Sequence, residues 1–348
     1  MPSVLPTADP LVLALLNPWQ RGFPLVRAPF AQIGATAHLS ETQVIEGYRR
    51  LQETGALSRI GGVFSGGAGG AALLAAMAVP PARLAEVAAI VSQHPGVNHN
   101  YQREHAHNLW FVMTGADQHA VQNAMHSLDA ATGLRALQLP MLRAYRIDLG
   151  FDLRSNTAAH AMPEATGTTP VAPSDRPLAA LLEAGLPLTP HPFDDWAQVL
   201  NRTPEAILAT LQQWLDQGTL RRMGAIVRHH ELGFDANAMT VFDIPEAAVD
   251  ACGEALARET GVTLAYRRER AEGWPYNLYC MVHGRDRTEV LEVIARAIGN
   301  TGLAPYPHEV LFSCRRFKQT GPRRFRALPV AMAPDTAATP EVLDAVAG

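Results

Sequence analysis

Gly22-Phe23-Pro24-Leu25 and Gly185-Leu186-Pro187-Leu188 lie 163 residues apart in the chain, and this pair decides the fold. The same offset sets Pro29-Phe30 against Pro192-Phe193, Ser40 against Thr203, and Gly55-Ala56-Leu57 against Gly218-Thr219-Leu220. It also sets Arg59-Ile60-Gly61 against Arg222-Met223-Gly224, without a gap. The register then drifts by two residues: Gly96-Val97 meets Gly261-Val262, and Tyr101-Gln102-Arg103-Glu104 meets Tyr266-Arg267-Arg268-Glu269. After a four-residue insertion, Asn108-Leu109-Trp110 meets Asn277-Leu278-Tyr279. Register held over this length marks a duplicated unit.

Each copy opens with helices. Ser40 and Gln43 form a capping-box signature ahead of Val44, Ile45, Tyr48 and Leu51 at helical spacing. Thr203, followed by Pro204 at the first helical position, precedes the equivalent stripe Ile207, Leu208, Leu211 and Trp214. Gly55 and Gly218 end these helices, and strands at 57–64 and 220–227 are expected to supply a wing. The rest of each copy alternates. Copy 1 reads strand 71–79, helix 81–94, strands 97–103 and 108–114, helix 118–131 and strand 137–147. Copy 2 reads 237–244, 245–260, 262–270, 277–283, 287–300 and 309–318. The order βαββαβ is ferredoxin-like and leaves one sheet face seeking cover, which two such sheets in one chain can give each other. The fold class is therefore α+β, a tandem duplication of a winged helix-turn-helix plus a ferredoxin-like βαββαβ domain, an arrangement that resembles the Lrp/AsnC proteins. The boundaries are 11–65 and 66–153 for copy 1, a flexible linker at 154–176, 177–228 and 229–325 for copy 2, and a tail at 326–348. The linker is rich in Ala, Thr, Pro and Ser, with too few large apolar residues to order itself.

The 348 residues carry 29 Lys+Arg against 33 Asp+Glu, a formal charge of −4 that argues against a polyanion-binding surface over the whole molecule. Cys252, Cys280 and Cys314 are too few and too scattered for a disulfide framework or a zinc site. No apolar run reaches membrane-spanning length, so a cytoplasmic protein with reduced thiols is expected and no membrane partner. The would-be recognition helices argue against nucleic acid. Residues 204–217 hold no basic side chain, and the first-copy helix keeps Arg49 and Arg50 at its far end behind Glu41 and Glu46. DNA affinity needs cations on phosphates, and helix N-termini normally enter the groove; here those N-termini are acidic or apolar.

Strand alternation puts His99, Tyr101 and Arg103 on one face with Val97, and Leu264, Tyr266 and Arg268 on the equivalent face of copy 2, with Arg267 opposite. The copies diverge asymmetrically: His99 matches Leu264, while Arg228-His229-His230 and Asn237 match Ser65-Gly66-Gly67 and Leu74. Each half holds polar groups that the other lacks, a pattern that fits one composite pocket better than two equal ones.

At these residues the chain resembles the siroheme decarboxylases in their fused NirD–NirL form, a family related to the Lrp/AsnC proteins. The likeness lies in Asn98-His99-Asn100-Tyr101-Gln102-Arg103-Glu104, Asn108-Leu109-Trp110-Phe111, Arg222-Met223-Gly224-Ala225 and residues 228–239. It continues in Ala265-Tyr266-Arg267-Arg268-Glu269, Tyr276-Asn277-Leu278-Tyr279 and Arg316-Phe317-Lys318. The resemblance implies removal of two acetate carboxyl groups from siroheme as CO2, giving 12,18-didecarboxysiroheme on a route to haem d1 or to haem. It implies no cofactor beyond the iron tetrapyrrole substrate. Such a substrate, with eight carboxylates, calls for arginines that grip carboxylates bidentately. Arg59, Arg222 and Arg267, with Lys318, Asn237 and Asn277, are the expected binding residues. His99, Tyr101, Arg103, His230, Tyr266 and Arg268 are the expected catalytic ones, with His99 or His230 as axial ligand to the substrate iron. The expected partners are siroheme and didecarboxysiroheme, with the two copies paired within the chain and further homo-oligomerisation open. A tetrapyrrole-responsive regulator of Lrp/AsnC type is the alternative, and a non-catalytic siroheme carrier a second one.

Overall fold

The computed structural model describes residues 9–147, 150, 153 and 168–326. Most of the expected linker and nearly all of the expected tail lie outside them. In copy 1, α1 (Pro10–Leu16), α2 (Pro29–Ala37) and α3 (Glu41–Glu53) precede β1 (Leu57–Phe64). Then follow β2 (Ala71–Met77), α4 (Leu84–Gln93), β3 (Val97–Arg103), β4 (Leu109–Gly115), α5 (Gln118–Thr132), β5 (Leu137–Leu139) and β6 (Met141–Ile147). Copy 2 repeats the order with α6 (Arg176–Ala184), α7 (Pro192–Leu200), α8 (Pro204–Asp216) and β7 (Leu220–Val227). It continues through β8 (Ala236–Phe242), α9 (Val249–Arg258), β9 (Val262–Arg268), β10 (Leu278–Gly284), α10 (Arg287–Thr301) and β11 (His308–Gln319). The capping box at Ser40 is formed reciprocally, with Gln43 N–H donating to Ser40 Oγ at 3.2 Å and Ser40 N–H to Gln43 Oε1 at 2.8 Å.

The wing expected from the first strand of each copy is not a hairpin. β1 and β7 instead pair with each other, antiparallel, into a two-stranded sheet across the copies. The first helical segments cross over as well: Leu186 N–H donates to Ile60 O, and Phe23 N–H to Met223 O. This crossing explains the repeated glycine of Arg-x-Gly. A Cβ on Gly224 would lie 2.4 Å from the Trp19 and Gln20 carbonyls, and one on Gly61 would lie 2.7 Å from the Leu182 carbonyl. Both helix-turn-helix units consequently share one core, in which Leu15, Phe30 and Tyr48 join Leu182, Phe193 and Trp214.

The remaining strands form a single nine-stranded sheet in the order β5-β2-β4-β3-β11-β8-β10-β9-β6. Pro140 alone separates β5 from β6, because it removes a ladder donor. Each copy's last strand therefore starts beside its own sheet (β5 on β2, the first half of β11 on β8). It then crosses to the other copy (β6 on β9, the second half of β11 on β3). α4 and α5 cover one outer face through Val87, Val91 and Leu128, and α9 and α10 the other through Leu256, Val290 and Ile294. The inner faces close on each other around Leu74, Trp110, Leu139, Met239, Tyr266, Trp274, Tyr279 and Leu311. Among the described residues no helix is long and apolar enough to cross a membrane.

Candidate active site

One irregularity in each copy aims the site residues. β3 is irregular between Val97 and His99 in its pairing with β4, and β9 shows the same break opposite Met281/Val282. Val97 and Val262 thereby pack under the helices, while His99, Tyr101 and Arg103, and Leu264, Tyr266 and Arg268, turn between the sheets. The expectation that Val97 shares a face with His99 fails for this reason, since a bulge re-aims the residues that follow it.

At one pole of the sandwich the two copies each contribute polar groups. His99 stacks on Tyr101, with ring centroids 6.2 Å apart and planes 20° from parallel. Arg103 lies 5.9 Å from the Tyr101 ring and donates to Leu311 O at 2.9 Å. From copy 2, Arg316 donates to Gln319 Oε1 at 3.0 Å and pairs with Glu231, and it sits opposite Tyr101 in the strand register. Beside them a cavity of about 340 Å³ is lined by Arg59, Arg228, Lys318, Arg323 and Arg326, with Glu183 its sole carboxylate. Arg59 is buried, and its Nε has no hydrogen-bond partner among the described residues. Burial, then the Arg326 cation, lower its pKa to about 10. His99 is held at about 4 by burial and by the Arg59 cation, so it is neutral near pH 7. Burial raises the Tyr101 phenol, against the pull of Arg316, Arg103 and Arg228, so it keeps its proton. A neutral imidazole, a protonated phenol and several cations thus converge on one space.

The opposite pole has lost this character. Leu264 replaces His99, and Ser65 stands where Arg228 does. Ala144, paired with Tyr266, occupies the register position that Arg316 holds against Tyr101. Tyr266 is closed into the inter-sheet core, stacked on Tyr279 at 6.1 Å under Arg268 at 4.7 Å. Arg268 donates to Leu139 O at 2.7 Å, the counterpart of the Arg103–Leu311 bond, so both arginines tie down a strand where it crosses to the other sheet.

Several expected binding residues have other partners. Asn277 bridges the backbone of Ile244, accepting from its N–H at 3.0 Å and donating to its carbonyl at 2.9 Å, and Asn108 does the same to Val79. The repeated Asn is a loop clamp. Lys318 donates to Ser92 O and His94 O at the end of α4, and Arg146 does likewise to Ala257 O and Glu259 O at the end of α9, where a cation suits the helix dipole. Lys318 still borders the cavity. Arg222 donates to Gln20 O and Ala225 O at the far pole, and Arg267 lies outside the sandwich with Glu246 and Asp250. His230 is exposed, 3.6 Å from Asp235, and does not line the cavity. Asn237 faces the interior opposite His283, but its counterpart is Ala72 rather than Leu74, because the two-residue drift falls before β8. Sequence reasoning passed over His283, Glu183, Arg323 and Arg326. His283 was findable, since it follows Tyr279 and Met281 on alternate positions of β10 and has Thr114 as its counterpart.

Two protein-family profiles match the chain. One is the siroheme decarboxylase NirDL-like HTH domain, at 13–57 and 175–221, and the other the AsnC-like ligand binding domain, at 68–146 and 231–318. The chain is 42% identical over 316 residues to the siroheme decarboxylase NirDL subunit of Paracoccus denitrificans, covering 90% of this chain and 97% of that one. The chain belongs to the siroheme decarboxylase family. A siroheme decarboxylase of Hydrogenobacter thermophilus is 30% identical over 311 residues, covering 86% of this chain and 90% of that one. A crystal structure of the siroheme decarboxylase NirDL in co-complex with an iron-uroporphyrin III analogue matches with a TM-score of 0.64 at 26% identity, over 90% of this chain and 93% of that one. Among the described residues no cluster of three or more His, Cys, Asp or Glu could hold a metal ion.

Proposed function

We infer that this chain is a siroheme decarboxylase, a carboxy-lyase that removes two acetate carboxyl groups of siroheme as CO2 to give 12,18-didecarboxysiroheme. The observation that carries the reading is the convergence of Arg59, Arg228, Arg323, Arg326 and Lys318 beside the His99–Tyr101 stack. Cations lining a cleft open to solvent suit a ligand rimmed with carboxylates, and arginine grips carboxylate through two parallel N–H bonds. The cavity stands at the low end for ligand sites, so it receives a carboxylate-bearing edge while the macrocycle lies toward His99.

The chemistry follows from protonation states. In each step the bond between the acetate methylene and its carboxylate breaks, CO2 leaves, and the electron pair stays on a methylene conjugated with the ring. That carbon then takes one proton to become methyl. Tyr101 carries the proton. A phenol raised by burial remains far more acidic than the methyl group it creates, so the transfer runs downhill. Neutral His99 suits an axial contact to the substrate iron. Arg103 and Arg316 hold positive charge beside Tyr101, where it orients the departing carboxylate. Tyr266, enclosed in the core, is assigned to packing rather than proton transfer.

Against the regulator reading, Arg49 of α3 is engaged with Leu188 O and Glu46, and β1 and β7 pair with each other where a wing would lie. Anaerobic incubation with siroheme, followed by mass spectrometry of the extracted tetrapyrrole, tests the assignment. Loss of two CO2 units is expected; siroheme bound but unchanged would favour a carrier or sensor.

A further inference from the structure

After β11 the chain runs as a strap over the cavity. Thr320 N–H donates to Asn98 O at 2.7 Å, and Arg323 N–H to Thr114 Oγ1 at 3.0 Å. Gly321 passes so close to Arg59 that a Cβ there would lie 2.8 Å from Arg59 Nη1. The strap ends with Phe325 packed on Phe64 at 4.6 Å. Its side chains Arg323 and Arg326 line the cavity opposite Arg59 and Arg228.

One side chain of α6 holds this strap. Glu183 is 1% exposed, and its two carboxylate oxygens each accept one strap backbone N–H, from Arg324 and from Phe325, both at 3.0 Å. Arg326 Nε lies 4.0 Å from the same carboxylate. The equivalent position in copy 1 is Gln20, at the pole without the cationic cavity. A buried carboxylate beside a site for a polyanion would by itself repel the ligand, so its presence needs a compensating role.

We propose that Glu183 is a positioning residue: it clamps the 320–326 strap so that Arg323 and Arg326 face the tetrapyrrole carboxylates, and it thereby sets affinity for highly carboxylated substrates. The proposal rests on the siroheme decarboxylase reading and refines the binding half of that site. Two bonds from one carboxylate fix the peptide planes on either side of Arg324 and so set the direction of Arg323, while Arg326 reaches toward the same carboxylate and donates to Pro322 O at 2.9 Å. A Gln side chain offers one acceptor oxygen and would release one plane.

The sign of the effect of Glu183→Gln separates this role from simple electrostatics. If Glu183 were only a local negative charge, its neutralisation would tighten binding of an anionic ligand. Under the clamp it weakens binding by about tenfold, the factor equivalent to one contact of roughly 1.4 kcal/mol. The full-length chain and E183Q are titrated anaerobically with iron-uroporphyrin III, which has eight carboxylates, and with iron-coproporphyrin, which has four. The variant is expected to lose about tenfold on the first and about twofold or less on the second. Trypsin is expected to cut after Arg323 or Arg324 faster in the variant than in the parent. Unchanged or tighter binding of iron-uroporphyrin overturns the proposal. Should E183Q fail to fold, full-length Glu183→Asp, which keeps the charge but draws the carboxylate back from the strap by one methylene, must show the same selective loss, and retained affinity there overturns it equally. Parent protein that converts siroheme while E183Q binds normally sinks the clamp alone. Parent protein that leaves siroheme intact sinks the enzyme reading, while the binding ratio still judges the clamp.

Discussion

Replacing Arg59 with Met should make the ligand-free protein more stable and the enzyme worse. Arg59 is 8% exposed, and its Nε has no partner among the described residues. Burial and the neighbouring Arg326 cation depress its pKa from 12.5 to about 10. At pH 7 it is charged in both the folded and the unfolded chain, so the depression measures a standing cost of burying the cation. A shift of this size corresponds to roughly 3 kcal/mol. Met keeps the unbranched stem against Gly61 and Gly185 while removing the charge, and exchange of a buried cation whose Nε lacks a partner for an apolar group of similar length recovers part of that cost, less the attraction of Glu183. The same exchange removes a charge-assisted contact to substrate carboxylate worth about 1.5–3 kcal/mol, or roughly 10- to 150-fold in affinity. Urea denaturation of Arg59→Met without ligand, paired with anaerobic siroheme titration, reads both. A lower denaturation midpoint would mean that Arg59 serves the fold, and unchanged siroheme affinity would remove it from the site. Either result refutes the reasoning.

Tyr101→Phe should lower kcat by about 10²–10⁴ while siroheme binding changes little; Tyr266→Phe should leave single-turnover rates within a few fold, and a loss matching that of Tyr101→Phe would restore Tyr266 to the chemistry. Asn277→Ala strands the Ile244 N–H and C=O and should cost about 2–5 kcal/mol in denaturation experiments, with siroheme affinity of the folded fraction unaltered. His99 and His283, both near 4 in the folded protein, bind protons more readily when unfolded. Their contribution to stability is therefore complete above about pH 6.5 and is lost as pH falls toward about 4. Denaturation midpoints measured across that window should fall, and His99→Gln should shallow the slope; an unchanged slope would contradict a neutral, buried His99. Duplex DNA at physiological salt should show no binding with a steep salt dependence, and its appearance would revive the regulator reading.

The amino-acid sequence determined the duplication, because a 163-residue register of turn glycines, helix caps and apolar stripes depends only on local chemistry. Ser40 with Gln43 caps a helix wherever that helix later docks. The same self-comparison shows polar residues divided unequally between the copies, as in His99 against Leu264, a pattern that fits one composite pocket better than two equal ones. Tertiary structure alone decided what each repeated residue touches. Arg59 and Arg222 are the same residue in two copies, yet one opens onto a cationic cavity and the other is bonded to Gln20 and Ala225. Nothing local distinguishes them, since the difference comes from which strand and strap arrive from far along the chain. The exchange of β6 and β11 was hidden for the same reason: an extended segment records that its backbone needs a partner but not whose. Glu183 reaches the site only because a strap some 140 residues downstream returns across α6, and no periodicity in the sequence encodes that crossing.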